Sequence, residues 1–185
     1  MKKEFEAANA MYPVPVVLVT THDVKGNDNI ITIAWTSNVS RKEPCINICV
    51  GGSSLSFRNI KDTGEFVVNI PGHDILEKVD FCGENHGYDV DKFESTGLVT
   101  QESSIVRAKL LKQCPINFEC RVKGIYPIED ANMVIGKILK VHIDENILDN
   151  DKVDYQKLNP IVYAQKTYFK LGKETAKRGF SKNNG

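Results

Sequence analysis

The chain has 185 residues, 41% of them apolar, and its 24 Lys and Arg balance 24 Asp and Glu. That length favours one domain able to bury its own core, and zero net charge supplies no global field for nucleic acid. No apolar run reaches the ~18 residues of a membrane span, and residues 1–11 lack the apolar block of a signal peptide.

The chain is therefore expected to be a soluble cytoplasmic protein with no nucleic-acid or membrane partner. Five cysteines (Cys45, Cys49, Cys82, Cys114 and Cys120) show no Cys-x-x-Cys spacing. They fit a reducing compartment better than a disulfide framework or a zinc ribbon.

Val14–Thr21 is a β-branched run predicting a strand, with turn chemistry at residues 23–28 and a return strand at Ile30–Trp35. Cys45–Val50 predicts the next strand, broken by Gly51 and Gly52. Ser54 is placed to cap a helix over Leu55–Thr63, which Gly64 stops. Phe66–Ile70 reads as a strand and Asp74–Phe81 as a second short helix.

In Ile116–Tyr126 the even positions are apolar and Asn117, Glu119, Arg121 and Lys123 are polar, predicting a half-buried strand. Met133–Ile143 predicts its hairpin partner, with Ile135, Leu139, Val141 and Ile143 facing inward and His142 on the solvent side. Asp144–Asp154 reads as a solvated acidic loop. Ile161–Ala164 and Thr167–Leu171 predict terminal strands, and residues 172–185 a flexible tail. About seven or eight strands with few helices suggest a closed or nearly closed barrel. No βαβ rhythm supports a Rossmann sheet.

Three constellations carry potential chemistry. Gly51–Arg58, a strand end running into a helix start with hydroxyls and an arginine, has the ingredients of an anion site. The same residues also describe an ordinary capped helix. Ala34–Asn38 holds the only tryptophan at a strand exit, where it could wall a ring-shaped ligand, although taken alone a large aromatic reads as core. Asp80–Asp91 crowds acids with Cys82 and His86, yet Gly83 and Gly87 and the lack of a matched His or Cys pair favour a solvated loop over a metal site. Lys92, next in line, reads as a loop lysine. No Gly-x-Ser-x-Gly elbow or Walker A motif occurs.

The order of the motifs is more specific than any one of them. Met11–Val16 with Pro13 and Pro15, Ala34-Trp35, Val39-Ser40 before Pro44, and Thr63–Ile70 appear in turn, followed by Cys82-Gly83, Asp91–Glu94, Thr96–Leu98 and Glu119-Cys120. This series resembles the flavin reductase-like family of FMN-binding split barrels, in its flavoredoxin-type members, over residues 11–172. Glu43-Pro44 departs from the paired prolines common in that family.

The resemblance implies a mainly β domain over residues 1–171, a six-stranded Greek-key split barrel, assembled as a homodimer. It implies FMN, with Asn29, Thr32, Ala34, Trp35 and Thr36 along the ring and ribityl chain. Gly52, Ser53, Ser54, Ser56 and Arg58 would surround the phosphate, Lys92 would add charge, and Tyr163 would close the pocket. The implied activity is redox: an NAD(P)H-dependent flavin or ferric reductase, or an electron carrier served by a redox protein. A non-enzymatic barrel that binds a nucleotide or a protein partner is the alternative.

Overall fold

The N-terminal β-branched run folds as two strands rather than one, β1 (Val14–Pro15) and β2 (Val17–His22), interrupted at Val16. The computed structural model describes residues 1–183. Next come β3 (Asp28–Ile33), β4 (Thr36–Ser40), β5 (Cys45–Gly51), α1 (Leu55–Thr63) and β6 (Glu65–Ile70). Then follow α2 (Leu76–Glu84), α3 (Lys92–Thr96), β7 (Thr100–Gln101) and β8 (Leu110–Leu111). The long pair β9 (Ile116–Ile128) and β10 (Ala131–Ile143) precedes β11 (Leu148–Asp149), β12 (Lys152–Val153), α4 (Tyr155–Leu158), β13 (Ile161–Ala164) and β14 (Thr167–Lys170).

One antiparallel sheet of seven strands, ordered β3-β2-β6-β9-β10-β5-β4, carries the fold. Its two edges, β3 and β4, are neighbours in the chain, separated only by Ala34 and Trp35. Two residues cannot bridge a flat seven-stranded sheet whose strands lie ~4.8 Å apart, so the sheet must curl until its edges approach. The Cys49 N–H donates to the Trp35 carbonyl at 2.9 Å and holds the junction. No ladder joins β3 to β4, so the barrel is split at this seam. The sheet has seven strands where six were expected; β4 is a polar stretch that the apolar pattern does not mark.

The interior is filled by Val17, Val19, Ile48, Phe66, Val68 and Val134, with Ile60 of α1 capping it. On the outside, α2 and the β13–β14 hairpin cover Val16, Leu18 and Ile30, so β2 is buried along its whole length. Gly136 admits the Phe66 ring: a Cβ there would stand 2.4 Å from the ring. Helix α1 is capped as its sequence predicts, the Ser54 side chain accepting from Phe57 N–H and Gly64 ending it at φ 71°.

Three expectations change. In β10 the inward residues are Val134, Gly136 and Ile138, while Val141 and Ile143 are exposed. Two register shifts against β9, at Ile135/Gly136 and Ile138/Lys140, break the simple alternation. In β9, Asn117 and Glu119 are buried rather than solvated, because residues 103–111 fold over that face. Glu119 accepts from the N–H groups of Ser104, Ile105 and Val106 and contacts His142 Nε2 at 2.6 Å. His142 is thereby drawn half inward. Finally, residues 144–154 hold the β11–β12 hairpin and a buried Ile147 packed on Ile116 and Leu158.

The Gly172 carbonyl, at the start of the expected tail, accepts from the Gln156 amide at 3.1 Å. Residues 184–185 of that tail lie outside the described residues. Among the described residues, no helix is long and apolar enough to cross a membrane.

Candidate functional site

Trp35 sits at the seam and is 49% exposed, so the core reading of the lone tryptophan is set aside. It walls a cavity of about 360 Å³ together with Thr32, Ala34, Cys49, Gly83 and Tyr163. Tyr163 and Tyr168 are cross-strand partners of the C-terminal hairpin; their rings lie 5.5 Å apart, and Tyr12 meets Tyr163 edge-on at 6.3 Å. The Tyr168 hydroxyl donates to Asp80 of α2 at 2.9 Å. Burial and that bond push the phenol's pKa well up. Thr32 donates to the Val79 carbonyl at 2.5 Å, bringing α2 against β3.

The other end of β3 is polar. Asn29, buried, donates from Nδ2 to Ser56 Oγ at 2.8 Å. Gly87 passes so close that a Cβ there would stand 2.3 Å from Asn29 Oδ1. Gly52 and Ser53 form the exposed turn before α1. The first N–H groups of a helix have no intrahelical acceptor; the Ser54 hydroxyl takes one, from Phe57. The exposed Arg58 lays its guanidinium 5.1 Å over the Tyr88 ring. Among the described residues it pairs with no acid.

Lys92 overturns the loop expectation. It opens α3, capped by Asp91, and is only 3% exposed. Its Nζ donates to the Cys82 carbonyl at 2.7 Å and has no carboxylate partner among the described residues. Burial lowers its pKa from the ordinary lysine value. It lines a cavity of about 330 Å³ with Asn29, Gly87 and Leu55, the first residue of α1.

The expected residues thus fall into two groups along β3. Thr32, Ala34, Trp35 and Tyr163 share the ring-sized cavity, while Asn29, Ser56 and Lys92 cluster at the polar end beside Ser53, Ser54 and Arg58. Thr36 opens onto an adjoining groove, its hydroxyl donating to the Asn47 carbonyl at 2.7 Å. Sequence reasoning missed Tyr12, Tyr168 and Cys49. Tyr168 was within reach, since it stands directly opposite Tyr163 in the hairpin that the two terminal strands form.

The metal alternative finds no support: among the described residues no three His, Cys, Asp or Glu side chains gather into a cation site. Asp80 is engaged by Tyr168 and Asp91 by the start of α3, and Cys82 is buried in the core with burial raising its thiol to about 11.

Comparison with known proteins agrees with this geometry. The flavoredoxin of Desulfovibrio vulgaris (Miyazaki F) is 30% identical, with a TM-score of 0.90 over 98% of this chain and 100% of that one. The flavoredoxin of Methanosarcina acetivorans is 26% identical, with a TM-score of 0.90 over 99% and 98% of the two chains. An uncharacterized protein of Aquifex aeolicus is 31% identical over 155 residues, 80% of this chain and 79% of the relative. The pattern of the flavin reductase like domain matches residues 9–172. The chain belongs to the flavin reductase-like family and has its split-barrel fold.

Proposed function

We propose that this chain holds FMN non-covalently and works as a redox flavoprotein. The observation that carries the reading is Trp35, the only tryptophan, half exposed and walling a cavity with Tyr163 at the barrel seam. Leaving so large an aromatic in water forgoes apolar burial, and a bound ring would restore it.

The residues fit the cofactor. An isoalloxazine has apolar faces and a polar edge, matching Trp35, Ala34 and Tyr163 beside the hydroxyls of Thr32 and Thr36. The phosphate would lie at the start of α1, held by the amides and hydroxyls of Gly52, Ser53, Ser54 and Ser56 and by Arg58. Asn29 and Lys92 complete that end. The strongest support for an anion is Lys92, a buried ammonium with no acid partner among the described residues; a phosphate supplies the counter-charge that such burial otherwise lacks. One anionic locus and no Rossmann unit favour FMN over FAD.

Bound flavin supplies the electron chemistry. The chain supplies orientation, dryness and local charge, and no side-chain nucleophile is needed. Electrons enter from NAD(P)H or from a redox protein, and the likeness to two flavoredoxins favours a carrier. The five free thiols, four of them buried, suit the cytoplasm. The family resemblance favours a homodimer, and the exposed Tyr126 and Ile128 at the turn end of the β9–β10 ribbon offer an apolar surface for it. Light scattering should then return about twice the chain mass of 20.7 kDa.

The test is an absorption spectrum of the purified protein followed by mass spectrometry of the acid-released chromophore. FMN is the expected species. A colourless protein indifferent to added FMN would refute the reading, and FAD as the dominant chromophore would refute its cofactor.

A further inference from the structure

The loop of residues 85–91, between α2 and α3, carries one large aromatic at the surface. Tyr88 is 55% exposed and belongs to none of the buried clusters. Its place is set by the backbone around it. Asn85 donates to the Phe81 carbonyl at 2.9 Å where α2 ends. The N–H groups of Asp89 and Val90 both donate to the His86 carbonyl, at 3.0 and 3.3 Å. Gly87, just before the ring, rests against Asn29 of β3.

What the ring meets is Arg58 of α1, whose guanidinium lies over it at 5.1 Å from the centroid. The same loop offers two carboxylates, Asp89 and Asp91, which line the polar cavity with Tyr88 and Lys92. Neither pairs with Arg58, and Asp91 is taken by the Phe93 and Glu94 N–H groups that start α3. A carboxylate partner would occupy the donor edge of the guanidinium. An aromatic face holds the cation and takes up no oxygen acceptor, so that edge stays available for two parallel bonds to a phosphate.

We propose that Tyr88 is a positioning residue: it holds Arg58 beside the start of α1 before a phosphate arrives, and so sets the preference for a phosphorylated flavin over an unphosphorylated one. The inference rests on the flavin reading above and deepens it. Tyr88 acts only through Arg58, by sparing that long side chain part of the rotamer freedom it would otherwise lose on binding.

The test uses the full chain and two readouts. In the flavin-free protein, the ring current of Tyr88 should move the Arg58 Nε–H proton resonance upfield; Tyr88→Phe should keep that shift and Tyr88→Leu should abolish it. Flavin fluorescence titrations then give dissociation constants for FMN and riboflavin. Tyr88→Leu should weaken FMN about three- to tenfold, the worth of one cation–ring contact, and riboflavin less than about twofold. Tyr88→Phe should restore FMN to within about twofold of wild type. In an Arg58→Gln background, Tyr88→Leu should cost nothing further, because the two residues act as one unit.

Absence of the upfield shift in wild type would overturn the proposal, as would equal losses for FMN and riboflavin or additive losses in the double variant. A Tyr88→Phe variant as weak as Tyr88→Leu would overturn it too, since the hydroxyl would then carry the effect. Normal FMN binding with unchanged selectivity in Tyr88→Leu defeats this inference alone. A wild-type chain that binds neither flavin would defeat the flavin reading and this inference with it.

Discussion

Replacing Lys92 by methionine deletes a buried charge while nearly keeping the side-chain volume. In the folded chain the ammonium has one hydrogen bond, 2.7 Å to the Cys82 carbonyl near the end of α2. Without FMN the substitution leaves that carbonyl unpartnered, a cost of about 1–3 kcal/mol. It also removes the desolvation penalty that depresses the lysine pKa. These terms oppose each other, so the melting temperature of the apoprotein should change little.

With FMN bound, the balance is different. A charge-assisted bond to the phosphate is lost, about 1.5–3 kcal/mol, or roughly ten- to a hundredfold in dissociation constant. Titration of flavin fluorescence measures it, with riboflavin, which lacks the phosphate, as the control expected to change less than about twofold. The pH response has a definite sign. The ammonium is neutralised as pH rises through its lowered value, so wild-type FMN affinity should fall at alkaline pH below the usual lysine range of ~10.4. In Lys92→Met that dependence should be absent. Equal losses for FMN and riboflavin, or an unchanged FMN constant, would refute the assignment of Lys92 to the phosphate.

Glu119→Gln sets an amide against three backbone donors and should destabilise the protein by more than ~1 kcal/mol at pH 7. Burial raises the Glu119 pKa, but the His142 contact and the backbone donors outweigh it and hold it below the ordinary 4.5. The carboxylate's contribution is therefore complete above that value and is lost as pH falls through the lowered one; urea midpoints of wild type and variant should converge in acid. Gly136→Ala drives a methyl into the Phe66 ring and should cost ~1–3 kcal/mol by overpacking, read as a lower urea midpoint. Tyr168→Phe releases the hairpin from Asp80 and should speed FMN release up to about tenfold, whereas Asp80→Asn keeps an acceptor and should change the rate little. Equal rates for wild type and Tyr168→Phe would remove that bond from any role in closing the pocket.

Local signals were legible where they act within a few residues. Ser54 and Gly64 bound α1 because capping and left-handed geometry are properties of single positions. Trp35 and the Ser53–Arg58 segment were marked as site material by residue type and order. What sequence could not give was burial created by distant segments. Lys92 lies inside because α2 and the loop around Gly87 close over it, and Asn117 and Glu119 because residues 103–111 fold across β9. The inward phase of β10 was misread for a related reason. Both of its faces carry apolar residues, and Phe66, more than sixty positions away, selects the Gly136 side.

The seam also bears on the order of folding. The β9–β10 ribbon is joined by the two residues Glu129 and Asp130, the smallest loop to close and the cheapest in chain entropy. Strand β6 must find β9 across residues 71–115, and β5 must find β10 across residues 52–130, so both are expected to dock after the ribbon has closed. Only when the β3–β2–β6 side and the β5–β4 side are both anchored do the two edges arrive at Ala34 and Trp35. By that order the cavity walled by Trp35 is expected to be the last part of the barrel to form. A cofactor bound at that joint would stabilise the closed seam without being needed to nucleate the fold.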